Sequence, residues 1–378
     1  MQIQDFLFFQ DFFIFYFFIM QVGIIGLPNV GKSTIFNALI KANNAAVANY
    51  PFCTIEPNIG LIFVPDDNLI KLARIYNSEK ITYTSIKVLD VAGLVKGASR
   101  GEGLGNKFLS HIREVDVVVH VVRCFQDENV SHISKDINPD NDIEIVNTEL
   151  LLADIETLER RKEKLVSSAK SGDIHAKNNL EIINYLIGEL DKDTVPDIKD
   201  KYEKNTELFL ELNLLSLKPT LYVVNVNDDE QSILLFEKLK GSLKGRDFIK
   251  IYGKLESELI ELPEEERATY RKELGIEGNG LDGFILKCYK MLNLITFYTI
   301  NENEARTWSL KKESKVIDAA GKVHSDMQKG FIKAEVINSD ELLKIGSIHK
   351  AKEDGKVRIE GKEYLVRDKD IILVKFTV

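Results

Sequence analysis

The sequence has few cysteines and no excess of positive charge. Its three cysteines, Cys53, Cys124 and Cys288, are scattered, without a CxxC pair or a histidine in zinc-binding spacing. This pattern argues against structural zinc and favours a reducing compartment, so we expect a cytoplasmic protein. The 59 acidic residues outnumber the 50 basic ones, which gives a net charge of −9. That balance argues against nucleic acid binding over the whole surface, although a local basic face is compatible with it.

The sequence also lacks an apolar run long enough to cross a membrane. Its most hydrophobic stretch, residues 6–19, is rich in phenylalanine and interrupted by Asp11. A membrane span needs about 20 apolar residues, and a signal peptide needs a basic start and a small-residue cleavage site. We therefore expect no membrane association. Because Met20 stands where the first strand of the next domain would naturally start, we interpret residues 1–19 as a non-native leader translated from upstream sequence.

The most informative segment is a phosphate-binding loop (P-loop), GLPNVGKS at residues 26–33. An apolar strand-like run precedes it and a helical pattern follows it, which is the context that this motif requires. Glycines let backbone N–H groups converge on phosphates, and the helix N-terminus adds a favourable dipole. Lys32 is predicted to reach the outer phosphates, and Ser33 to offer its hydroxyl to Mg²⁺. The predicted nucleotide contacts of the loop are Asn29, Val30, Gly31, Lys32, Ser33 and Thr34.

Two further elements match a GTPase-like switch protein. Residues 87–93 read as a strand that ends in a DxxG motif, in which Asp90 is predicted to hold the Mg²⁺ shell through water and the Gly93 N–H to meet the γ-phosphate. Thr54 lies between the P-loop and DxxG, where its hydroxyl would complete the metal shell. The order of the three elements is that of a P-loop with switch regions I and II. The sequence therefore predicts a triphosphate site with Mg²⁺ on Ser33, Thr54 and Asp90.

The residue that activates water in Ras-like enzymes is absent. Leu94 replaces the glutamine after DxxG, and leucine makes no hydrogen bonds. Three histidines are candidates for this task, namely His111, His120 and His132, and of these His120 is best explained as structural because it lies in an apolar strand. Asn29 adds the hypothesis of a bound K⁺ that would act like an arginine finger.

The base-recognition motif is altered as well. A strand over residues 220–224 ends in Asn225-Val226-Asn227-Asp228, where guanine-specific proteins carry N-K-x-D, so the lysine is missing. Asn225 is predicted to bond the N7 edge of either purine, and Asp228 remains compatible with guanine. We assign base contacts to Asn225, Val226 and Asp228, and the choice between ATP and GTP stays open at this point.

The pattern of hydrophobic residues indicates three parts. Residues 20–127 and 217–293 alternate strands and helices, which predicts a discontinuous P-loop NTPase domain of the α/β class with a mainly parallel sheet. Residues 128–216 form an insertion, an antiparallel helical hairpin that turns at residues 170–173. Residues 294–378 have short β-like runs around one helix, which predicts a small α+β domain. The predicted strands and C-terminal helix are 59–63, 86–89, 115–122, 220–224, 332–336, 357–359, 371–378 and 316–323.

The motifs resemble those of the Obg-like ATPases of the YchF type, a subfamily of the TRAFAC P-loop GTPases. The similarity runs from Met20 to the C-terminus through GLPNVGKST, PFCTIEPN, DVAGLVKGAS, GEGLGNKFL, VVRCF and KGFIKAEVI. It implies a P-loop domain interrupted by a helical hairpin and followed by a TGS domain, which has a ubiquitin-like β-grasp fold. It also implies hydrolysis of ATP in preference to GTP, because the family motif is N-x-x-E. Asp228 is one methylene shorter than that glutamate.

The resemblance further implies which residue prepares the water and which partners bind. Family members use a histidine in a loop that matches residues 127–132, so His132 is favoured over His111, together with Lys32 and Gly93 as catalytic groups. The implied role is a slow ribosome-associated ATPase switch in translation or stress control, which binds a ribosome or ribosomal subunit and RNA. We expect a monomer. The alternatives are a conventional GTPase and a nucleotide-sensing RNA- or ribosome-binding module with incidental hydrolysis.

The implied RNA contact falls on the TGS domain. Trp308 and Phe331 would stack on bases, although such aromatic residues are more often part of a core. A phosphate-facing side would comprise Lys329, Lys333, Lys350, Lys352 and Lys356. A solvated charged face explains the same lysines equally well.

Overall fold

A computed structural model describes residues 20–47, 58–91, 104–127, 137–192, 194–274 and 280–377. Within 194–274 the description leaves out residues 197, 199, 200, 202 and 203. Across these ranges, no helix is both long and apolar enough to span a bilayer. The strands are β1 (Gln21–Ile25), β2 (Ile59–Phe63), β3 (Lys80–Thr82), β4 (Ser85–Asp90), β5 (Val117–Cys124), β6 (Thr220–Val226), β7 (Phe248–Ile251), β8 (Leu294–Ile300), β9 (Glu304–Lys311), β10 (Phe331–Asn338), β11 (Arg358–Glu360) and β12 (Asp370–Phe376).

The helices of the described part begin with α1, which starts at the last two residues of the P-loop, and end in the C-terminal domain. They are α1 (Lys32–Val47), α2 (Asp67–Tyr76), α3 (Leu104–Glu114), α4 (Pro139–Lys170), α5 (Ile174–Leu190), α6 (Thr206–Leu212), α7 (Glu230–Ser242), α8 (Gly253–Leu259), α9 (Glu264–Glu273), α10 (Gly280–Met291), α11 (Val316–Val323), α12 (Ser325–Lys329), α13 (Ser339–Ile345) and α14 (Ile348–Glu353).

The first sheet has the strand order β2-β4-β1-β5-β6-β7. All of its neighbours pair in parallel except β2 and β4, which are antiparallel. Every residue of β5 is buried, as expected for a central strand of a parallel sheet covered on both faces. The predicted α/β fold with a mainly parallel sheet is confirmed. The carboxyl ends of β1 and β4 lie side by side, with Ile24 opposite Asp90.

The insertion is the predicted helical hairpin. Helices α4 and α5 pack on each other through a leucine-rich core that includes Leu158, Ile183 and Leu186. The turn uses Gly172 at a φ of +97°, a conformation that favours glycine. Asp173 then caps α5 by accepting hydrogen bonds from the backbone N–H groups of its first turn.

The second sheet has the order β11-β10-β12-β8-β9-β3. Five of its strands come from the C-terminal region, and the predicted helix over residues 316–323 is confirmed as α11. The sixth strand, β3, comes from the N-terminal half and pairs in parallel with β9. Leu69 and Leu72 of the neighbouring α2 pack into the same core as Tyr298. Within residues 67–84, assigned from the sequence to the P-loop domain, β3 thus completes the C-terminal sheet and α2 packs into its core.

The structure corrects the role considered for Trp308. Its side chain is buried, and its ring stacks on Phe297 with 6.2 Å between centroids. The indole N–H donates to Thr299 Oγ1 at 2.8 Å, and the Arg306 guanidinium covers the ring at 4.0 Å from the centroid. Because the ring is covered, the prediction that an RNA base stacks on Trp308 is wrong. Phe331 is half-buried against the same core.

Candidate nucleotide-binding site

The P-loop curls between the end of β1 and the start of α1 and faces a cavity of about 330 Å³. Gly26, Asn29 and Gly31 have φ angles of +145°, +62° and +98°. A side chain on Gly31 would overlap the Asn225 side chain, so the loop needs glycine at this position. The residues that line the cavity are Pro28, Asn29, Lys32, Ser33, Asn58, Asp90 and Val91.

Lys32 is the cation of the cavity. Its side chain is buried, and its ammonium group donates to the carbonyl oxygen of Leu27 at 2.7 Å. Burial lowers the pKa of Lys32 to about 8, an effect that the nearby Asp90 carboxylate partly opposes. A buried ammonium group with this depressed pKa gains stabilisation from any anion that enters the cavity.

Ser33 and Asp90 form the oxygen pair that fits a magnesium ion. Ser33 Oγ donates to Asp90 Oδ2 at 2.8 Å, and both residues line the cavity. A hydroxyl and a carboxylate are hard oxygen donors, the type that Mg²⁺ prefers beside phosphate oxygens. Two of the three predicted metal ligands are therefore together. The third, Thr54, lies outside the described residues, and so does Gly93 of the DxxG motif.

Asn225 joins the P-loop to the loop after β7. Its Nδ2 donates to the carbonyl oxygen of Val30 at 3.0 Å, and its Oδ1 accepts from the N–H of Gly253 at 3.0 Å. The side chain is buried. The bond to base N7 stays a prediction, and the structure gives this amide a structural role, because it bridges the P-loop and the start of α8.

The other two predicted base contacts have different surroundings. The Val226 side chain is buried in the core with Tyr222 and Val224, so the prediction that it contacts a base is wrong for the side chain. Asp228 is exposed just beyond β6, where its carboxylate is accessible to a ligand. Thr34 is exposed in the first turn of α1, one residue beyond Ser33.

The histidine candidates separate clearly. His120 is buried beside Tyr222, with ring centroids 5.5 Å apart. Burial, together with the positive charges of Lys32 and Arg246, lowers its pKa to about 3, so the ring is neutral. The structural explanation of His120 is confirmed. His111 is exposed on α3, and His132 lies outside the described residues.

The structure adds two residues that sequence reasoning missed. Asn58, with a φ of +68°, lines the cavity, and its carbonyl oxygen accepts from the N–H of Asp90 at 2.8 Å. Arg123, at the end of the buried strand β5, is 1% exposed and donates to the carbonyl oxygen of Asn29 at 3.3 Å. The available signal was a charged residue in β5, a strand whose other residues apart from His120 are apolar.

Comparison with known proteins agrees with this geometry. Residues 21–153 match a family model described as a 50S ribosome-binding GTPase. Residues 294–377 match the model of the C-terminal region of YchF GTPases, which is described as a protein of unknown function.

Full-length relatives cover nearly the whole chain. The ribosome-binding ATPase YchF of Bacillus subtilis (strain 168) is 45% identical over 366 residues, 95% of this chain and 100% of the relative. The protein of the same name from Escherichia coli O157:H7 is 43% identical over 361 residues, 95% of this chain and 99% of the relative. The solved structure of the Schizosaccharomyces pombe YchF GTPase superposes with a TM-score of 0.84 at 34% identity and covers 94% of this chain and 97% of its own. The chain therefore belongs to the YchF family.

Proposed function

We propose that this protein is a magnesium-dependent ATPase that cleaves the β–γ phosphate bond of ATP and acts as a switch on the ribosome. The observation that supports the chemistry is the convergence of Lys32, Ser33 and Asp90 on one cavity under the P-loop. The two bacterial relatives are named ribosome-binding ATPases, which supports both the nucleotide and the partner. A protein that acts on ribosomes would be located in the cytoplasm.

Each residue of the site has a separate role in hydrolysis. Backbone N–H groups of residues 29–34 bind phosphate oxygens, and the Lys32 ammonium group neutralises charge on the outer phosphates. Ser33, Asp90 and Thr54 would hold Mg²⁺, which supplies neutralisation of the β- and γ-phosphate oxygens when bound. His132, in place of the missing glutamine, positions the attacking water, and the Gly93 N–H contacts the γ-phosphate.

Asp228 is the residue that bears most directly on the preference for ATP over GTP. A carboxylate at this position pairs with guanine when its reach fits, and the family glutamate is one methylene longer. We expect ATP to bind more tightly than GTP, and Asp228→Glu to widen the difference. Paired ATP and GTP titrations of both proteins measure this. Tighter binding of GTP by the unmodified protein would favour the conventional GTPase instead.

Hydrolysis on and off the ribosome tests the switch. Single-turnover rates with ATP should be slow for the free protein, rise strongly with added ribosomes, and fall in His132→Ala. His111→Ala is the matched control, because that histidine is exposed on α3, and it should leave the rate unchanged. If ribosomes leave the rate of the unmodified protein unchanged, the nucleotide-sensing module with incidental hydrolysis is the better account.

RNA contact through the C-terminal domain is a further part of the proposal. Two of the lysines considered for it have acidic partners, because Lys352 pairs with Glu335 at 2.9 Å and Lys356 with Glu341 at 3.4 Å. Lys333 is exposed on β10. Ribosome affinity that falls steeply with salt would support phosphate contacts, whereas affinity independent of salt would oppose them.

The K⁺ hypothesis depends on Asn29. Its side chain is exposed and the residue lines the cavity, which is the position that a monovalent cation beside the phosphates would require. We propose faster hydrolysis in K⁺ than in Na⁺, and equal rates in the two salts would refute it.

A further inference from the structure

Consecutive carbonyl groups of the P-loop are held by hydrogen bonds from the protein interior. The bonds are Arg123 Nη1 to Asn29 O at 3.3 Å, Asn225 Nδ2 to Val30 O at 3.0 Å, and Ile35 N to Gly31 O at 3.0 Å. The third is the first hydrogen bond of α1. The other two come from side chains, so the loop does not depend on its own backbone alone.

The two side-chain donors are placed by strand register. Arg123 of β5 and Asn225 of β6 are directly paired residues of neighbouring parallel strands. Paired residues of adjacent strands project from the same face of a sheet. Two neighbouring strands therefore present two donors to two neighbouring peptide groups of the P-loop.

Holding a carbonyl also aims the N–H group of the same peptide unit. In a trans peptide the C=O of one residue and the N–H of the next point in opposite directions. The structure has no cis peptide bond in the described chain. The hydrogen bond from Arg123 to the Asn29 carbonyl therefore points the Val30 N–H in the opposite direction, away from Arg123. The bond from Asn225 to the Val30 carbonyl likewise points the Gly31 N–H away from Asn225.

Arg123 is built into its position. Its side chain is 1% exposed, its Nε donates to the carbonyl oxygen of Phe125 at 3.0 Å, and its guanidinium lies 4.5 Å from the centroid of the Phe125 ring. Burial lowers the pKa of Arg123, and the carboxylates of Asp127 and Asp142 oppose that effect. A planar guanidinium can serve two carbonyls in different directions at once, which a lysine ammonium on a flexible stem does less well.

We infer that Arg123 is a positioning residue for the triphosphate, because it orients the Asn29–Val30 peptide so that the Val30 N–H is aimed at a phosphate oxygen. It acts through the loop backbone from the side away from the cavity. The inference rests on the proposed nucleotide function and adds to it a residue behind the loop. Asn29 has a left-handed φ of +62°, a conformation that non-glycine residues rarely adopt. The hydrogen bond from Arg123 to the Asn29 carbonyl oxygen stabilises this conformation.

The test compares Arg123→Met, Arg123→Lys and the matched control Val122→Ala in the full chain. Val122 is the adjacent buried residue of β5 and belongs to a core cluster that includes no P-loop residue. Calorimetry gives the Kd for Mg·ATP and Mg·ADP, ³¹P NMR gives the shift of the β-phosphate of bound ADP, and circular dichroism gives the unfolding midpoint. All binding is measured at a temperature where each protein is folded.

We expect Arg123→Met to weaken the binding of both nucleotides by about tenfold or more and to change the ³¹P shift of bound ADP. The reason is the loss of a charge-assisted hydrogen bond that orients the Val30 N–H toward a phosphate oxygen. Arg123→Lys should recover part of the affinity but not the unmodified shift. Val122→Ala should lower the unfolding midpoint and leave Kd and the shift as in the unmodified protein, which separates positioning from stability.

Affinities within twofold of the unmodified protein and an unchanged ³¹P shift in Arg123→Met would overturn the inference. If Arg123→Met does not fold, the same two readings of Arg123→Lys decide, and values equal to those of the unmodified protein overturn it. Failure of the unmodified protein itself to bind Mg·ATP is a separate result, which would reject the proposed function.

Discussion

We expect Lys32 to couple nucleotide binding to the uptake of a proton. Its pKa in the nucleotide-free protein is lowered to about 8 from an ordinary value of 10.5, with burial as the main cause. Between these two values the unfolded chain holds more protons than the folded one, so the Lys32 contribution makes the nucleotide-free protein more stable as pH rises through this window. A bound triphosphate favours the charged ammonium group and returns its pKa toward the ordinary value.

We therefore predict uptake of about one proton per ATP bound at pH 9 and almost none at pH 7. Calorimetric titrations in two buffers with different ionisation enthalpies measure the proton count. The titration at pH 7 is the internal control, because Lys32 is already charged there. Binding at pH 9 without proton uptake would show that the Lys32 ammonium group keeps its ordinary pKa in the free protein.

The sequence was sufficient to place the residues whose task depends on local spacing. Lys32, Ser33 and Asp90 belong to motifs read within a few residues, and the structure brings them to one cavity. The role of Asn225 between two loops, and of Arg123 behind the P-loop, depends on the pairing of β5 with β6. Those strands are about a hundred residues apart in the chain, and no local pattern encodes their register.

A buried carboxylate ties the base of the helical hairpin to the segment that leads back to β6. Asp154 of α4 is completely buried, and its oxygens accept from the backbone N–H groups of Leu215 and Ser216 at 2.8 Å and from Ser216 Oγ at 2.7 Å. Arg113 at the end of α3 adds a bond to Thr157 Oγ1 at 2.7 Å. These four bonds lie at the base of the hairpin, close to where the chain returns to β6.

We predict that Asp154→Asn destabilises this attachment by about 2–4 kcal/mol, since an amide nitrogen cannot accept the bonds that one carboxylate oxygen accepts. Chemical denaturation followed by circular dichroism measures the loss. The matched control is Glu156→Gln on the same helix, whose ion pair with Arg160 is exposed, and the change should stay within about 0.5 kcal/mol. Equal stability of the two variants would mean that Asp154 does not anchor the hairpin.

Elements with strong periodicity were predicted well. The hairpin turn, strand β2 and helix α11 lie where the hydrophobic pattern placed them. Strands β3, β7, β8 and β9 were not predicted. The clearest case is β3, a three-residue strand at Lys80–Thr82 whose partner is β9. Three residues are too few to show an alternation of polar and apolar side chains, and the pairing that makes them a strand joins residues more than 200 positions apart.

The two sheets are joined through the segment between the two predicted switch regions. Residues 58–91 contain β2 and β4 of the first sheet, and between these strands α2 and β3 belong to the second. Asp66 caps α2 and also accepts from the Tyr298 hydroxyl at 2.8 Å. Thr84 N donates to Thr307 Oγ1 at 2.7 Å. The C-terminal domain therefore packs against the connection between the predicted switch regions.

This arrangement predicts that the P-loop domain depends on the C-terminal domain for stability. A chain that ends at residue 293 would expose the apolar faces of Leu69 and Leu72 and leave β3 without its partner. We expect it to unfold at a clearly lower temperature than the full chain or to aggregate, as measured by differential scanning calorimetry and light scattering. An unfolding midpoint and ATP affinity equal to those of the full chain would show that the two parts are independent.

We propose that the cavity under the P-loop binds a purine triphosphate together with Mg²⁺ held at Ser33 and Asp90. Calorimetric titration of ATP into the full chain, with Mg²⁺ and with excess EDTA, measures this, and Ser33→Ala is the companion variant. We expect binding at least about tenfold tighter with Mg²⁺, and loss of most of that difference in Ser33→Ala. A protein with no Mg²⁺-dependent affinity for ATP or GTP would show that the proposed site is wrong.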